Sequence, residues 1–149
     1  MIDISTDPAR LDAALIHDFL NVQSHWAQGI SRLCVERALA HSLCFGADEA
    51  GGQLGLARVV TDRATFAWLA DVFVLPAHRG RGIGARLMQA VAAHPELQSL
   101  RRHVLVTSTA PALYARYGFT PLHKPEIWME RLDPRAYLAP SDPTQAPPA

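Results

Sequence analysis

Apolar positions recur at helical spacing over Pro8–Leu20, where Leu11, Ala14, Leu15, Phe19 and Leu20 form one stripe. Thr6 or Asp7 stands in N-cap position there, and Pro8 suits a first helical turn. The preceding Met1–Ser5 reads as a short strand. Asn21–Gly29 reads as a loop around an isolated Trp26, and Ser31 caps a second helix with Leu33, Val35, Ala38 and Leu39 on its inner side. The period then changes. Ser42–Gly46, Gln53–Thr61 and Thr65–Leu75 read as strands, separated by turns at Asp48-Glu49-Ala50-Gly51-Gly52 and Asp62-Arg63. Connections this short predict an antiparallel meander.

Pro76–Gly82 reads as a loop, after which Ile83, Leu87, Ala90 and Val91 mark a helix that His94-Pro95 ends. His103–Thr107 is a short apolar strand. A strand–helix–strand crossover predicts that it lies parallel to the last strand of the meander. Pro111–Tyr117 reads as a short helix stopped by Gly118, and Phe119–Leu122 and Ile127–Arg131 as closing strands. The elements fit a single α/β (α+β) domain over residues 1–134. Residues 135–149, rich in Pro, Ala and Ser, read as a flexible tail.

Composition narrows the chemistry. With 49% hydrophobic and 19% charged residues, the 149-residue chain has enough apolar content for one core. Lys+Arg and Asp+Glu balance at 14 each, which argues against a nucleic-acid or membrane-surface partner. The two cysteines, Cys34 and Cys44, have apolar neighbours and read as small buried hydrophobes in a reducing compartment. The seven histidines include no i,i+4 pair and no Cys-x-x-Cys accompanies them, so no metal is expected. Met1-Ile2-Asp3-Ile4 lacks a signal-peptide pattern and no apolar run reaches spanning length, so a cytoplasmic location is expected.

The chemistry concentrates at Arg79-Gly80-Arg81-Gly82-Ile83-Gly84, between the meander's last strand and an amphipathic helix. Unpaired helical N–H groups and the helix dipole favour an anion there; glycines allow close backbone approach and the arginines add charge. A phosphate-bearing ligand is the expectation. A P-loop is excluded, because Gly84-Ala85-Arg86 stands where Gly-Lys-Ser/Thr is needed. A dinucleotide turn fits Gly80-x-Gly82-x-x-Ala85 more closely. The four-residue spacer Pro76-Ala77-His78-Arg79, the preceding meander and the missing ribose-binding acid after His103–Thr107 weigh against it.

Asp71 through Gly84 resembles the acetyl-CoA signature of the GNAT superfamily, a Gln/Arg-x-x-Gly-x-Gly/Ala motif after a strand ending in Val-x-Pro. Ala112-Leu113-Tyr114-Ala115-Arg116-Tyr117-Gly118-Phe119 resembles that family's second segment, at the expected distance. The two cover roughly residues 66–122. The resemblance implies a mixed six- to seven-stranded sheet with a splayed parallel central pair and helices on both faces. It further implies acetyl transfer from acetyl-CoA to a primary amine in a ternary complex. The CoA diphosphate falls to the backbone of Arg79, Gly80, Arg81, Gly82, Ile83, Gly84 and Ala85, and the pantetheine arm to Phe73, Val74 and Leu75. An N–H near Val74 is then an oxyanion donor.

Tyr114 matches the family's general acid, which protonates the leaving thiolate; its rival role is packing the short helix on the sheet. Tyr117, three residues on, is the neighbouring candidate. Asp71 interrupts an apolar strand, where a charge is costly unless paired or useful. It is either a base or relay for the amine or a salt-bridge partner of Arg58, and the two roles are compatible. Trp26, Phe45, Arg58 and Trp128 are the candidate acceptor-wall residues, Arg58 as a reader of a carboxylate or phosphate. The amine itself, small metabolite or protein amino group, stays unnamed, and a homodimer is compatible with the family. A non-catalytic acyl-CoA sensor and a nicotinamide-dependent oxidoreductase are the competing functions.

Overall fold

A computed structural model describes residues 1–138. Its five strands, β1 (Asp3–Ser5), β2 (Leu43–Glu49), β3 (Gly52–Thr61), β4 (Phe66–Val74) and β5 (Arg102–Leu105), lie side by side in chain order. The first four pair antiparallel and β4–β5 pairs parallel, as the crossover predicts. Helices α1 (Ala13–Asp18) and α2 (Arg32–Ala40) cover one face; α3 (Ile83–Ala93) covers the other, and α4 (Pro111–Ala115) follows β5. Two cores result. Leu43, Phe45, Ala57, Val59 and Leu69 pack with Ile83, Leu87, Met88 and Val91 of α3. Cys44, Leu56 and Phe73 pack with Ile16, Phe19, Leu20 and Val35 on the other side.

β2 runs three residues past its expected end, so Asp48 and Glu49 belong to the strand. Ala50 (φ 52°) and Gly51 (φ 82°) alone make the turn, a left-handed pair whose twist suits a two-residue hairpin. The stripe over Pro8–Leu20 is not one helix. Pro8–Arg10 is a 3-10 turn capped by Asp7, Leu11 is extended, and α1 begins after a new cap, Asp12. The Asp12 N–H donates to Gln53 Oε1 at 2.7 Å, a tie to β3 that local periodicity does not contain. Ser31 caps α2 as expected, through Cys34 N at 3.1 Å. Leu33, expected inside, is 65% exposed, and Cys34 is exposed too; Cys44 is the buried thiol.

The closing strands are absent from the described residues, so the sheet has five strands rather than six or seven. Pro121 and Pro125 lack the N–H a ladder needs, and Pro125–Ile127 turns as a 3-10 helix. Of the expected tail 135–149, residues 139–149 lie outside the described residues, while 135–138 belong to a turn that starts at Pro134. No helix among the described residues is long and apolar enough to cross a membrane.

Candidate active site

The two parallel strands part company halfway. β4 pairs with β5 only from Phe66–Arg102 to Leu69–Leu105, yet continues to Val74. Ala70 is bulged against β3, where the register slips between Arg58–Asp71 and Val59–Leu69. A bulge bends its strand and reverses the side-chain alternation beyond it. Ala67 and Leu69 therefore face α3, whereas Asp71 and Phe73 face α1 and α2. Leu75 N donates to Leu54 O at 2.8 Å, which points the alternate residue, Val74, away from β3 and into the notch. Val74 O accordingly receives Arg79 Nε at 3.1 Å.

The notch widens into a cleft of about 1040 Å³ that runs from α3 past the end of β4 to α1 and α2. At one end Gly80 (φ 81°) and Gly82 (φ 75°) take the left-handed conformation, and a Cβ at either would point into open space. Gly82 is the N-cap of α3 and no side chain caps the helix, so the first-turn N–H groups remain for another acceptor. Ile83 contributes only backbone, because its side chain is core. Arg79 and Gly84 line the cleft. Arg81 is not free: its Nη2 contacts both oxygens of Glu49 at 2.8 and 3.0 Å, and this pairing holds the Glu49 carboxyl below the ordinary carboxylate range.

Tyr114 and Tyr117 separate cleanly. Tyr117 Oη donates to Ala85 O at 3.1 Å, a structural tie between α4 and α3. Tyr114 lines the cleft with Val74 and Gly84, its ring edge-on to Phe119, and burial raises its phenol pKa. Its hydroxyl is therefore a proton donor across the whole neutral range.

At the other end Asp71, 6% exposed, receives Trp26 Nε1 at 2.8 Å on one oxygen and Arg58 Nε at 2.7 Å on the other. Arg58 Nη1 also donates to Ser42 Oγ at 3.0 Å. The expected Arg58–Asp71 ion pair thus forms, with Trp26 as a third member whose distance of 45 positions along the chain hides it from sequence reading. Trp26, Arg58 and Asp71 share the cleft; Phe45 and Trp128 do not belong to it. Phe45 is 1% exposed on the α3 face, edge-on to His94, because β2 alternation turns it away from α1 and α2. Trp128 lies against Arg102 of β5, ring centroid 5.1 Å from the guanidinium carbon. Three further cleft residues escaped sequence reading. Helix α1 widens into a π turn at Phe19–Gln23, which brings in Phe19 and Leu20, and the turn after Pro134 brings in Tyr137.

Residues 40–121 match the acetyltransferase (GNAT) domain family. A candidate acetyltransferase of Gibberella zeae is 33% identical over 135 residues, 76% of this chain and 75% of that protein. A crystal structure from Xanthomonas campestris, described as a GNAT-family candidate, is 53% identical with a TM-score of 0.91, covering 93% of this chain and 98% of the other. A Clostridium acetobutylicum protein determined with acetyl-CoA shares the fold, at 17% identity and a TM-score of 0.66, over 89% and 96% of the two chains. The splayed β4–β5 pair, the glycine turn opening α3 and these matches agree: the chain belongs to the GNAT acetyltransferase family.

Proposed function

We propose that the protein transfers an acetyl group from acetyl-CoA to a primary amine by direct attack within a ternary complex, in the cytoplasm where that donor is made. The observation that carries this reading is the single cleft joining an open β4 edge, an uncapped α3 N-terminus and the half-buried phenol of Tyr114. Open space at Gly80 and Gly82 suits a diphosphate, and the unpaired edge of β4 at Phe73–Leu75 suits an amide-bearing arm. When bound, acetyl-CoA supplies the activated carbonyl. The Val74 N–H faces the notch and is placed to donate to that carbonyl oxygen as negative charge develops. As the amine nitrogen forms its bond to the carbonyl carbon, the carbon–sulfur bond breaks. Tyr114 then gives its proton to the departing sulfur and recovers one from the proton the amine releases. Asp71 fixes Trp26 and Arg58 at the acceptor end, acting through position rather than as the base.

Melting curves with acetyl-CoA, followed by an amine screen for CoA release, test the proposal. Stabilisation by acetyl-CoA with acetyl transfer to an amine is expected. Binding without transfer to any amine supports a sensor instead, and stabilisation by a nicotinamide dinucleotide alone overturns the reading. Two variants probe the cradle. Gly82→Ala forces a Cβ onto a left-handed residue, costing about 1 kcal/mol of stability. Its methyl also points where the phosphates are expected, so KM for acetyl-CoA rises more than that strain explains, about tenfold or beyond. Glu49→Gln releases Arg81, and acetyl-CoA is expected to bind about two- to fivefold more tightly at low salt. The gain fades as salt is added, since the pair is solvent-exposed. Isothermal titration at two ionic strengths reads it directly.

A further inference from the structure

Resting on the acetyl-transfer reading, we infer that the acceptor is a small monoamine with an apolar, aromatic body. The acceptor end is built from rings. Phe19 stacks on Phe73 with centroids 4.0 Å apart and planes within 12°, and Trp26 continues the series 6.3 Å from Phe19. Trp26, 42% exposed, is the ring of this series open to a ligand, and Phe19 and Phe73, 3% and 4% exposed, back it from the core. Asp71 anchors the indole N–H, so the Trp26 ring is held in place before any ligand arrives and loses little freedom on binding. Ser24 pins the π turn that presents Phe19, its Oγ donating to Leu20 O at 2.6 Å and accepting from Ala27 N.

Charge points the same way. Asp71 is the sole carboxylate lining the cleft among the described residues, and both its oxygens are engaged. Arg58 and Arg79 leave the lining with one positive charge in excess. A polyamine or aminoglycoside brings several ammonium groups and needs acidic walls that this cleft does not offer. A single aliphatic amine on an alkyl arm of an aromatic ring instead matches the apolar wall. Its cationic form is attracted to indole and phenol faces before it loses a proton. Tyr137 adds a fourth ring beside the Arg58–Asp71 pair, carried there by a chain segment whose Tyr137 carbonyl lies against Gly29. Tyr137 thus adds an aromatic surface to the lining, which favours a ring-bearing small molecule over the aliphatic stem of a lysine.

Steady-state assays with acetyl-CoA and 2-phenylethylamine, tryptamine, spermidine, kanamycin or a lysine peptide decide the matter. CoA should be quantified by chromatography, because exposed Cys34 consumes thiol reagents. The aromatic monoamines are expected to exceed the polycations and the peptide in kcat/KM by about tenfold or more. Trp26→Ala and Tyr137→Ala are expected to raise KM for the aromatic amine about tenfold while KM for acetyl-CoA stays put. Trp26→Phe, which keeps a ring and drops only the N–H to Asp71, separates lost contact from lost anchoring. Preference for spermidine, kanamycin or the peptide overturns the inference but leaves acetyl transfer standing. An aromatic-amine KM indifferent to both alanine variants also overturns it. Binding of acetyl-CoA with no amine consumed overturns both readings.

Discussion

Tyr114→Phe is expected to lower kcat by about a hundred- to a thousandfold at neutral pH, with the melting temperature and KM for acetyl-CoA nearly unchanged. The phenol is half-buried in the cleft, and the structure gives its hydroxyl no partner among the described residues, so its removal strands nothing. What is lost is the proton for the departing thiolate, whose ordinary pKa near ~8.5 makes unassisted departure slow. Burial raises the Tyr114 pKa above the ordinary phenol value, so the neutral donor persists throughout the neutral range. The wild-type rate should therefore show no alkaline fall from this group below about pH 10. Stability follows the same sign: burial of the neutral phenol is unopposed below the unfolded pKa and is lost as pH rises through the folded one. Tyr117→Phe is the control. It removes the bond to Ala85 O, costs about 1 kcal/mol and leaves kcat within a few-fold. Equal activities for wild type and Tyr114→Phe across neutral pH would exclude the acid role.

Asp71→Ala is expected to destabilise the fold by about 3 kcal/mol, the largest stability loss of any single substitution considered. The carboxylate is nearly buried and compensates two donors, the Arg58 guanidinium and the Trp26 indole. Truncation leaves Arg58, its side chain 18% exposed, with only Ser42 Oγ as a partner. An unpaired, largely desolvated cation costs more than the pair contributes. The residual access of Arg58 to water keeps the loss at the lower end of the range for buried pairs. Chemical denaturation measures it. Asp71→Asn retains the shape and separates the two roles considered for this residue. An anchor predicts a raised amine KM with kcat within about tenfold. A base predicts a collapsed kcat and a pH–rate profile without its acidic limb. The second outcome would reassign Asp71 from positioning to catalysis.

Much of the site was legible because its signals are local. Gly80 and Gly82 take positive φ angles that their residue type permits, and Arg79 through Ala85 follow a strand and open a helix as their pattern implies. The parallel placement of β5 followed from crossover geometry, and the Arg58–Asp71 pair from a charge within an apolar strand. Phe45 and Trp128 lie outside the cleft for a different reason. Residue type marks a ring as a packing group but does not say where it packs: the phase of β2 alternation sets Phe45 in the α3 core, and the chain after the 3-10 turn at Pro125–Ile127 carries Trp128 to Arg102.

The sequence by itself determined the family and the glycine turn that opens α3, because short-range backbone preferences and motif spacing suffice for these. Tertiary structure decided the rest. The Ala70 bulge turned Asp71 and Phe73 toward α1, and the π turn presented Phe19 to Phe73. A contact across more than a hundred residues then set Tyr137 against Gly29. No local window contains these pairings; they exist only when the chain closes on its core, and together they line the end of the cleft proposed to take the acceptor.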